Sequence, residues 1–326
     1  MNIALIGPGY IPIPPPDHGA VEIVIWNLAQ EMSALGHKVT IYNEHDLQEV
    51  VNDINQKQFD FVHLQYENHA EYIRRFLSPH IAYAVTCHYG LILQQRAWDP
   101  GYYRIIAEVI QSQNVISLSQ EIKKALSLYL PEHRSHWLRN GAEFNKFKFS
   151  PEGNGRAICL GKIEPRKGQV QINTLCGNID FVGPKTIDFT PTEYNRYLGT
   201  WTKQQVYDKL TEYNTLVLLS YGEAAPLVVP EAFAAGLNVV ISQQAAANIP
   251  DSLLKYTTIL DISEFTKQEI PQAIYKSINQ NVEDRNFIRD EAYKYFDWSV
   301  IAKDYEQIIR KIIRDNQNSL LYYSNQ

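Results

Sequence analysis

Cysteine is scarce in this chain. Cys87, Cys159 and Cys176 are the only three among 326 residues. An odd number without a repeated short spacing fits neither a disulfide framework nor a cysteine metal site, so all three are expected to be reduced, and buried or incidental. Positive charge is not in excess either. There are 30 Lys and Arg against 36 Asp and Glu, a formal net charge of -6. A nucleic-acid binder would usually show the opposite balance. Residues 1–140 alone hold ten basic and fourteen acidic side chains. That sign does not support attachment to an anionic membrane face by charge. The adjacent pairs Arg74 with Arg75 and Lys123 with Lys124 read as solvated surface. No apolar run is long enough to cross a bilayer, and Met1 to Gly7 has no charged leader or cleavage site. A cytoplasmic location is therefore expected. There is no solenoid-type repeat and no low-complexity tract.

What is present is an ordinary globular balance, 45% hydrophobic and 20% charged, over a length that suits two α/β domains. Strand and helix signals alternate. Asn2–Ile6 is an apolar run ending at Gly7, as a buried first strand does. A proline-rich loop follows, and Gly19 opens a helix whose apolar residues Val21, Val24, Ile25, Leu28, Met32 and Leu35 recur at helical spacing until Gly36. Further strands are expected at Val39–Tyr42, Phe59–Leu64, Ala82–Cys87, Val115–Leu118 and His136–Leu138. Lys146–Arg156 has the Pro and Gly content of a linker. The pattern then restarts, with strands expected at Ala157–Gly161, Ile179–Gly183, Thr215–Ser220, Asn238–Ser242 and Thr257–Leu260. A closing helix carries the stripe Ile301, Tyr305, Ile308, Ile309 and Ile312, and Asn316 to Gln326 reads as frayed. Alternating strands and helices imply parallel sheets with right-handed crossovers. The expected fold is α/β, two Rossmann-like doubly wound domains facing across a cleft. Their expected extents are residues 1–150 for the first domain and 151–297 for the second, followed by a closing helix at 298–314.

The most informative stretch is Ser220-Tyr221-Gly222-Glu223-Ala224-Ala225-Pro226-Leu227-Val228-Val229-Pro230-Glu231-Ala232-Phe233-Ala234-Ala235-Gly236. It follows an apolar strand and runs into a helix. Glu223 in the loop and Glu231 in the first turns can face one ligand from different depths. Backbone N–H groups around Ala225, Pro226, Leu227 and Val228 would meet a phosphate with the helix dipole behind them. A carboxylate deeper in the helix suits two ribose hydroxyls.

This segment resembles the Glu-x7-Glu donor motif of the family-4 retaining glycosyltransferases, which have the GT-B fold. Other segments follow in the family's order. Gly161-Lys162-Ile163-Glu164-Pro165-Arg166-Lys167-Gly168 resembles the basic loop after the first strand of the second domain. There Lys162, where the family usually has Arg, and Lys167 would neutralise a diphosphate as the sugar departs. Lys162 supplies a point charge without a bidentate fork. Gly19-Ala20-Val21-Glu22 resembles the Gly-Gly-x-Glu helix start that faces the donor phosphate, with Ala20 replacing the second glycine. Asp17 either caps that helix or contacts the acceptor. Val85-Thr86-Cys87-His88-Tyr89-Gly90 resembles the loop whose histidine, here His88, contacts the donor sugar near the reacting centre. Asn140-Gly141 resembles the interdomain segment, with a positioning role, and Phe296-Asp297-Trp298 the closing motif.

The resemblance implies retaining transfer of a hexosyl unit from a nucleoside diphosphate sugar to an acceptor hydroxyl on a glycan, glycolipid or small molecule. The donor is a substrate, and no cofactor is expected. No Asp-x-Asp dyad is present to hold a catalytic metal, and basic side chains would do the ion's work. In this reading His88, Glu223 and Lys167 serve the reaction. Gly19, Ala20, Lys162, Lys167, Ala225, Pro226, Leu227, Val228 and Glu231 bind the donor. Acceptor contacts are expected near Tyr10–His18, Tyr66–His69 and Tyr89–Asp99. Two alternatives stay open: a GT-B-fold sugar-nucleotide epimerase, and a non-catalytic nucleotide-sugar-binding protein.

Overall fold

The structure, a computed structural model, describes residues 1–16, 19–93, 99–262, 269–280 and 284–324. It divides into two compact units, Met1–Arg139 with Trp298–Gln326, and Asn140–Asp297. Asp17, His18 and part of the Tyr89–Asp99 loop lie outside the described residues.

The first unit is built on a parallel sheet of β1 (Asn2–Ile6), β2 (Lys38–Tyr42), β3 (Phe61–Leu64), β4 (Ala82–Val85), β5 (Val115–Ser117) and β6 (Ser135–Trp137). Their spatial order is β2-β1-β3-β4-β5-β6. Ile3 to Ile6 are all essentially inaccessible, so β1 reads as a continuous apolar run covered on both faces. The connecting helices are α1 (Ala20–Ala34), α2 (Leu47–Lys57), α3 (Ala70–Phe76), α4 (Pro100–Gln111) and α5 (Gln120–Leu126). Local capping explains their starts. Asp46 accepts from the amides of Gln48 and Glu49, Asp99 from Tyr102, and Ser119 from Ile122.

The second unit holds β7 (Ala157–Leu160), β8 (Ile179–Val182), β9 (Arg196–Tyr197), β10 (Thr215–Leu218), β11 (Asn238–Ser242) and β12 (Thr257–Leu260). They form a second parallel sheet in the order β12-β11-β10-β7-β8-β9. Its helices are α6 (Gln169–Leu175), α7 (Lys203–Lys209), α8 (Val228–Ala234), α9 (Glu269–Ile278) and α10 (Arg285–Phe296). Alternate residues of β10 serve opposite faces. Leu216 and Leu218 join one core with Phe233 and Phe296, and Val217 and Leu219 join the other with Phe181 and Ile172.

Several sequence expectations need correction. The first unit ends near residue 139, not 150, because Phe144 and Phe147 are buried in the second unit's core. The expected linker Lys146–Arg156 is likewise packed there. Ser150 N donates to Thr211 Oγ1 at 2.8 Å and Asn154 N to the Glu212 carbonyl at 2.6 Å. Its Pro and Gly mark irregular backbone, and tertiary hydrogen bonds hold it. The edge strand β9 escapes sequence detection because two residues carry no periodicity. The final helix α11 (Trp298–Ser324) runs ten residues past the expected end at 314. No Gly or Pro stops it, and Asn316 Nδ2 donates to the His80 carbonyl at 3.2 Å. Leu321 and Tyr322 stay exposed. The three cysteines are free and buried, within the expectation for them. Arg74, Arg75 and Lys123, expected to be solvated surface, are instead ion-paired with Glu108, Glu71 and Glu132, and Arg74 and Lys123 are only partly exposed.

One buried charge ties the second sheet together. Asp180 on β8 is fully buried and accepts hydrogen bonds from Arg156 (2.7 and 2.9 Å), Arg196 (2.5 and 2.8 Å) and Tyr213 Oη (2.8 Å). Burial opposes its charge, but these donors outweigh that and hold its carboxyl below the usual range. A depressed folded pKa means stability that is present above the ordinary carboxylate range and lost as pH falls through the folded value. Asp180→Ala should destabilise this unit by about 3 kcal/mol at neutral pH. Calorimetry should show that loss shrink on acidification; an unchanged melting profile at pH 7 would contradict this account.

Candidate functional site

In the second sheet the chain goes outward through β7, β8 and β9, then returns to the other side of β7 as β10. The carboxyl ends of β7 and β10 thus flank a topological switch point, where an open α/β sheet leaves a crevice for a ligand. The basic loop leaves β7 there, and the Glu223 loop leaves β10. Gly168 shows how close they come. Its φ is +68°, and a Cβ there would lie 2.8 Å from the Leu219 carbonyl. Both the left-handed backbone and the contact require glycine. Tyr221 N donates to the Arg166 carbonyl at 2.8 Å. Buried Gln169 braces the basic loop, donating to the Lys162 carbonyl at 2.8 Å and accepting from Glu164 N at 3.3 Å.

Here Lys162, Arg166 and Lys167 meet Glu164 and Glu223. Arg166 Nη1 donates to Glu223 Oε1 at 2.9 Å and its Nη2 to Glu164 Oε1 at 2.8 Å. Lys167 Nζ is 3.8 Å from Glu223 Oε1, and Lys162 Nζ is 3.7 Å from Glu164 Oε2. Three cations against two carboxylates leave one net positive charge. Glu223 and Lys167 are mostly buried, whereas Lys162 is about half exposed. Arg166 is the residue that sequence reading missed. It occupies a position next to Lys167 where any residue would pass unnoticed, and only the fold brings its fork to Glu223. Ser220 Oγ and Gln244 Oε1 lie buried beside this loop without a hydrogen-bond partner. The Gln244 carbonyl in turn accepts from Glu223 N at 3.3 Å.

Glu231 lies on α8, buried, and pairs with Lys203 of α7. Lys203 Nζ also lies 5.2 Å from the Tyr207 ring centroid. Asn140 Nδ2 donates to the Ala225 carbonyl at 2.8 Å and so fixes the approach to α8. The expected amide cradle is narrower than four residues. Pro226 has no N–H, and Val229 N is spent on the Pro226 carbonyl at 3.2 Å. Donors from this stretch come from Ala225, Leu227 and Val228.

In the first unit β1 and β3 flank the corresponding switch point. Gly19, at φ +129°, precedes α1, and a Cβ there would fall 2.6 Å from Glu22 Oε2. Ala20 is exposed at the first helical position, so its methyl group is accommodated. His88 follows β4 and its Nε2 lies 2.7 Å from Gln65 Oε1. Burial lowers its pKa to about 4, which leaves the ring neutral at pH 7. Near it sits Glu67, 1% exposed, whose carboxyl has only the backbone amides around it and no close, well-aligned hydrogen-bond partner. Burial raises its pKa to about 7, against the opposing pull of the backbone amides of residues 67, 88 and 89. Cys87, Tyr66 and Tyr102 are its other titratable neighbours.

No model of a protein family and no curated protein sequence matches the chain. Solved structures do. AviGT4, a glycosyltransferase involved in avilamycin A biosynthesis, is 14% identical with a TM-score of 0.70, over 96% of this chain and 98% of that one. Anabaena HepE in complex with UDP and glucose is 13% identical, with a TM-score of 0.69 over 95% and 99%. The sucrose-phosphate synthase of Thermosynechococcus elongatus is 14% identical, with a TM-score of 0.70 over 96% and 99%. The chain has the two-domain GT-B fold that these glycosyltransferases share.

Glu67 yields a test of the first unit. A carboxyl whose folded pKa lies above the unfolded value binds more protons when folded, so stability falls as pH rises between them. For Glu67 that window runs from about 4.5 to about 7. Its width corresponds to a few kcal/mol, roughly 3. Glu67→Gln should remove this fall, leaving the variant more stable than the parent at pH 8 and not at pH 4.5. Parallel pH profiles in thermal unfolding would show that Glu67 is not buried as a proton-binding acid.

Proposed function

We propose that this protein transfers a hexosyl unit from a nucleoside diphosphate sugar to an acceptor hydroxyl, with retention at the anomeric carbon and without a metal ion. The observation that carries this reading is the convergence of Lys162, Arg166 and Lys167 with Glu164 and Glu223 at the β7/β10 switch point. A diphosphate needs positive charge that grows in value as the leaving group departs, and preorganised cations provide it without reorganisation. Lys167, the more buried of the two lysines, would bear on the phosphates. Glu223 would exchange its cations for sugar hydroxyls, and Glu231 would exchange Lys203 for the ribose hydroxyls. The amides of Leu227 and Val228 add dipoles of the right sign. UDP and glucose bound to HepE make a uridine donor the first to try. His88 would meet a substrate hydroxyl, and leaving-group phosphate would help remove the acceptor proton.

Two variants separate the roles. Lys167→Ala should lower turnover about 100-fold, as loss of one charge-stabilising donor does, while donor KM changes far less. Glu231→Gln should mainly weaken donor binding, by about tenfold, the worth of roughly 1.4 kcal/mol. Nucleoside diphosphate release with and without acceptor, repeated in excess chelator, reads both. Intact turnover in Lys167→Ala would overturn the donor-site assignment, and loss of activity in chelator would overturn metal independence. Rearranged donor without acceptor would indicate an epimerase, and a thermal shift with donor but no turnover a binding protein.

A further inference from the structure

Beneath His88 lies a buried chain of polar groups that the proposed transfer does not by itself explain. His63, Gln65 and Thr86 are each 1% exposed. Thr86 Oγ1 is 2.9 Å from the Ile116 carbonyl and 2.8 Å from His63 Nε2. His63 Nδ1 is 2.7 Å from Tyr305 Oη and 3.0 Å from Gln65 Nε2. Gln65 Oε1 is 2.7 Å from His88 Nε2. The direction of every bond follows from one end. The Ile116 carbonyl can only accept, so it takes the single hydrogen of the Thr86 hydroxyl. The Thr86 oxygen must then accept, and His63 Nε2 is the donor. Full burial lowers the His63 pKa to about 3, so the ring is neutral and Nδ1 carries its lone pair. Tyr305 Oη and the Gln65 amide donate to that nitrogen. With its NH2 turned toward His63, Gln65 presents its oxygen to His88, and His88 Nε2 must donate.

We propose that Gln65 is a positioning residue that fixes His88 as the Nε2–H tautomer and turns Nδ1 into a hydrogen-bond acceptor for a substrate hydroxyl. The ring orientation is set through Gln65, and the polarity of the chain is set at Ile116. Tyr305 brings α11 into the same chain, so the helix that closes the first unit also braces the His88 loop. A neutral acceptor suits a sugar hydroxyl and does not suit a phosphate, which needs a donor or a cation. The tautomer rests on the first unit alone. Only its use on a hydroxyl rests on the proposed transfer.

Long-range 1H–15N correlation on the 15N-histidine-labelled full chain at pH 7 tests this, with His88→Gln identifying the ring signals. The expected spectrum has a protonated-type shift at Nε2 of His88 and an unprotonated-type shift at Nδ1. An Nδ1–H tautomer, or averaged shifts at both nitrogens, overturns the proposal. Gln65→Leu should abolish the single tautomer. Thr86→Val, which removes the hydroxyl and does not alter the Gln65 side chain, should do so as well by releasing His63. Tyr305→Phe should preserve it, since the Gln65 amide still fills His63 Nδ1. Unchanged His88 shifts in both Gln65→Leu and Thr86→Val would overturn the relay. In turnover, Gln65→Leu should lose about tenfold in kcat with little change in donor KM, the scale of one hydrogen bond. If the parent chain transfers no sugar, the function proposed above fails, and the tautomer still stands or falls on the spectrum.

Discussion

The second unit depends on the adjacency of β7 and β10, neighbours in space that are separated in sequence by β8, β9 and their helices. Two loops that leave parallel strands side by side must either repel or interlock. Here they interlock through backbone. Gly168 admits the Leu219 carbonyl, and the Arg166 carbonyl accepts the Tyr221 amide. Side chains from each loop then share one small volume. The charges at this end of the sheet follow from that contact, because neither loop alone brings cations to Glu223.

Those charges are satisfied internally. Glu223 has Arg166 and Lys167, Glu164 has Arg166 and Lys162, and Glu231 has Lys203. Mostly buried carboxylates without such partners would be costly, so the pairings stabilise the site. They also set the terms of the proposed donor binding. A diphosphate would compete with the carboxylates for the cations, while sugar hydroxyls would compete with the cations for the carboxylates. A molecule carrying both groups would satisfy both sets at once, which a free phosphate or a free sugar would not.

The first unit solves a different problem with neutral groups. At the ends of β3 and β4, His63, Gln65 and Thr86 lie in an interior with almost no water contact, and half-buried His88 joins them through Gln65. Charge there would be expensive, and burial holds both rings neutral. Hydrogen-bond direction then does what charge does in the second unit. Glu67 is the exception: a lone carboxyl without a cation, held near half-protonation around neutral pH.

The linear order of residues determined much of this by itself. Strand–helix alternation, the buried runs and the restart after residue 156 carry the two-sheet α/β fold, because burial on both faces demands continuous apolar strands. Local motifs likewise placed Glu223, Lys162, Lys167 and His88 in loops after strands, and Glu231 in the helix that follows the Glu223 loop. What the sequence could not express are contacts between distant segments. Arg166 becomes part of the Glu223 cluster, Lys203 the partner of Glu231, and Gln65 the partner of His88 only when strands far apart in sequence become neighbours. Lys146–Arg156 has linker composition yet packs through Phe147 into the second unit's core, another contact between distant segments. The extent of α11 is a local matter: it continues past Asn316 because neither Gly nor Pro stops it. Propensity and periodicity are properties of neighbours along the chain. Charge pairing, tautomer and unit boundary are properties of neighbours in space.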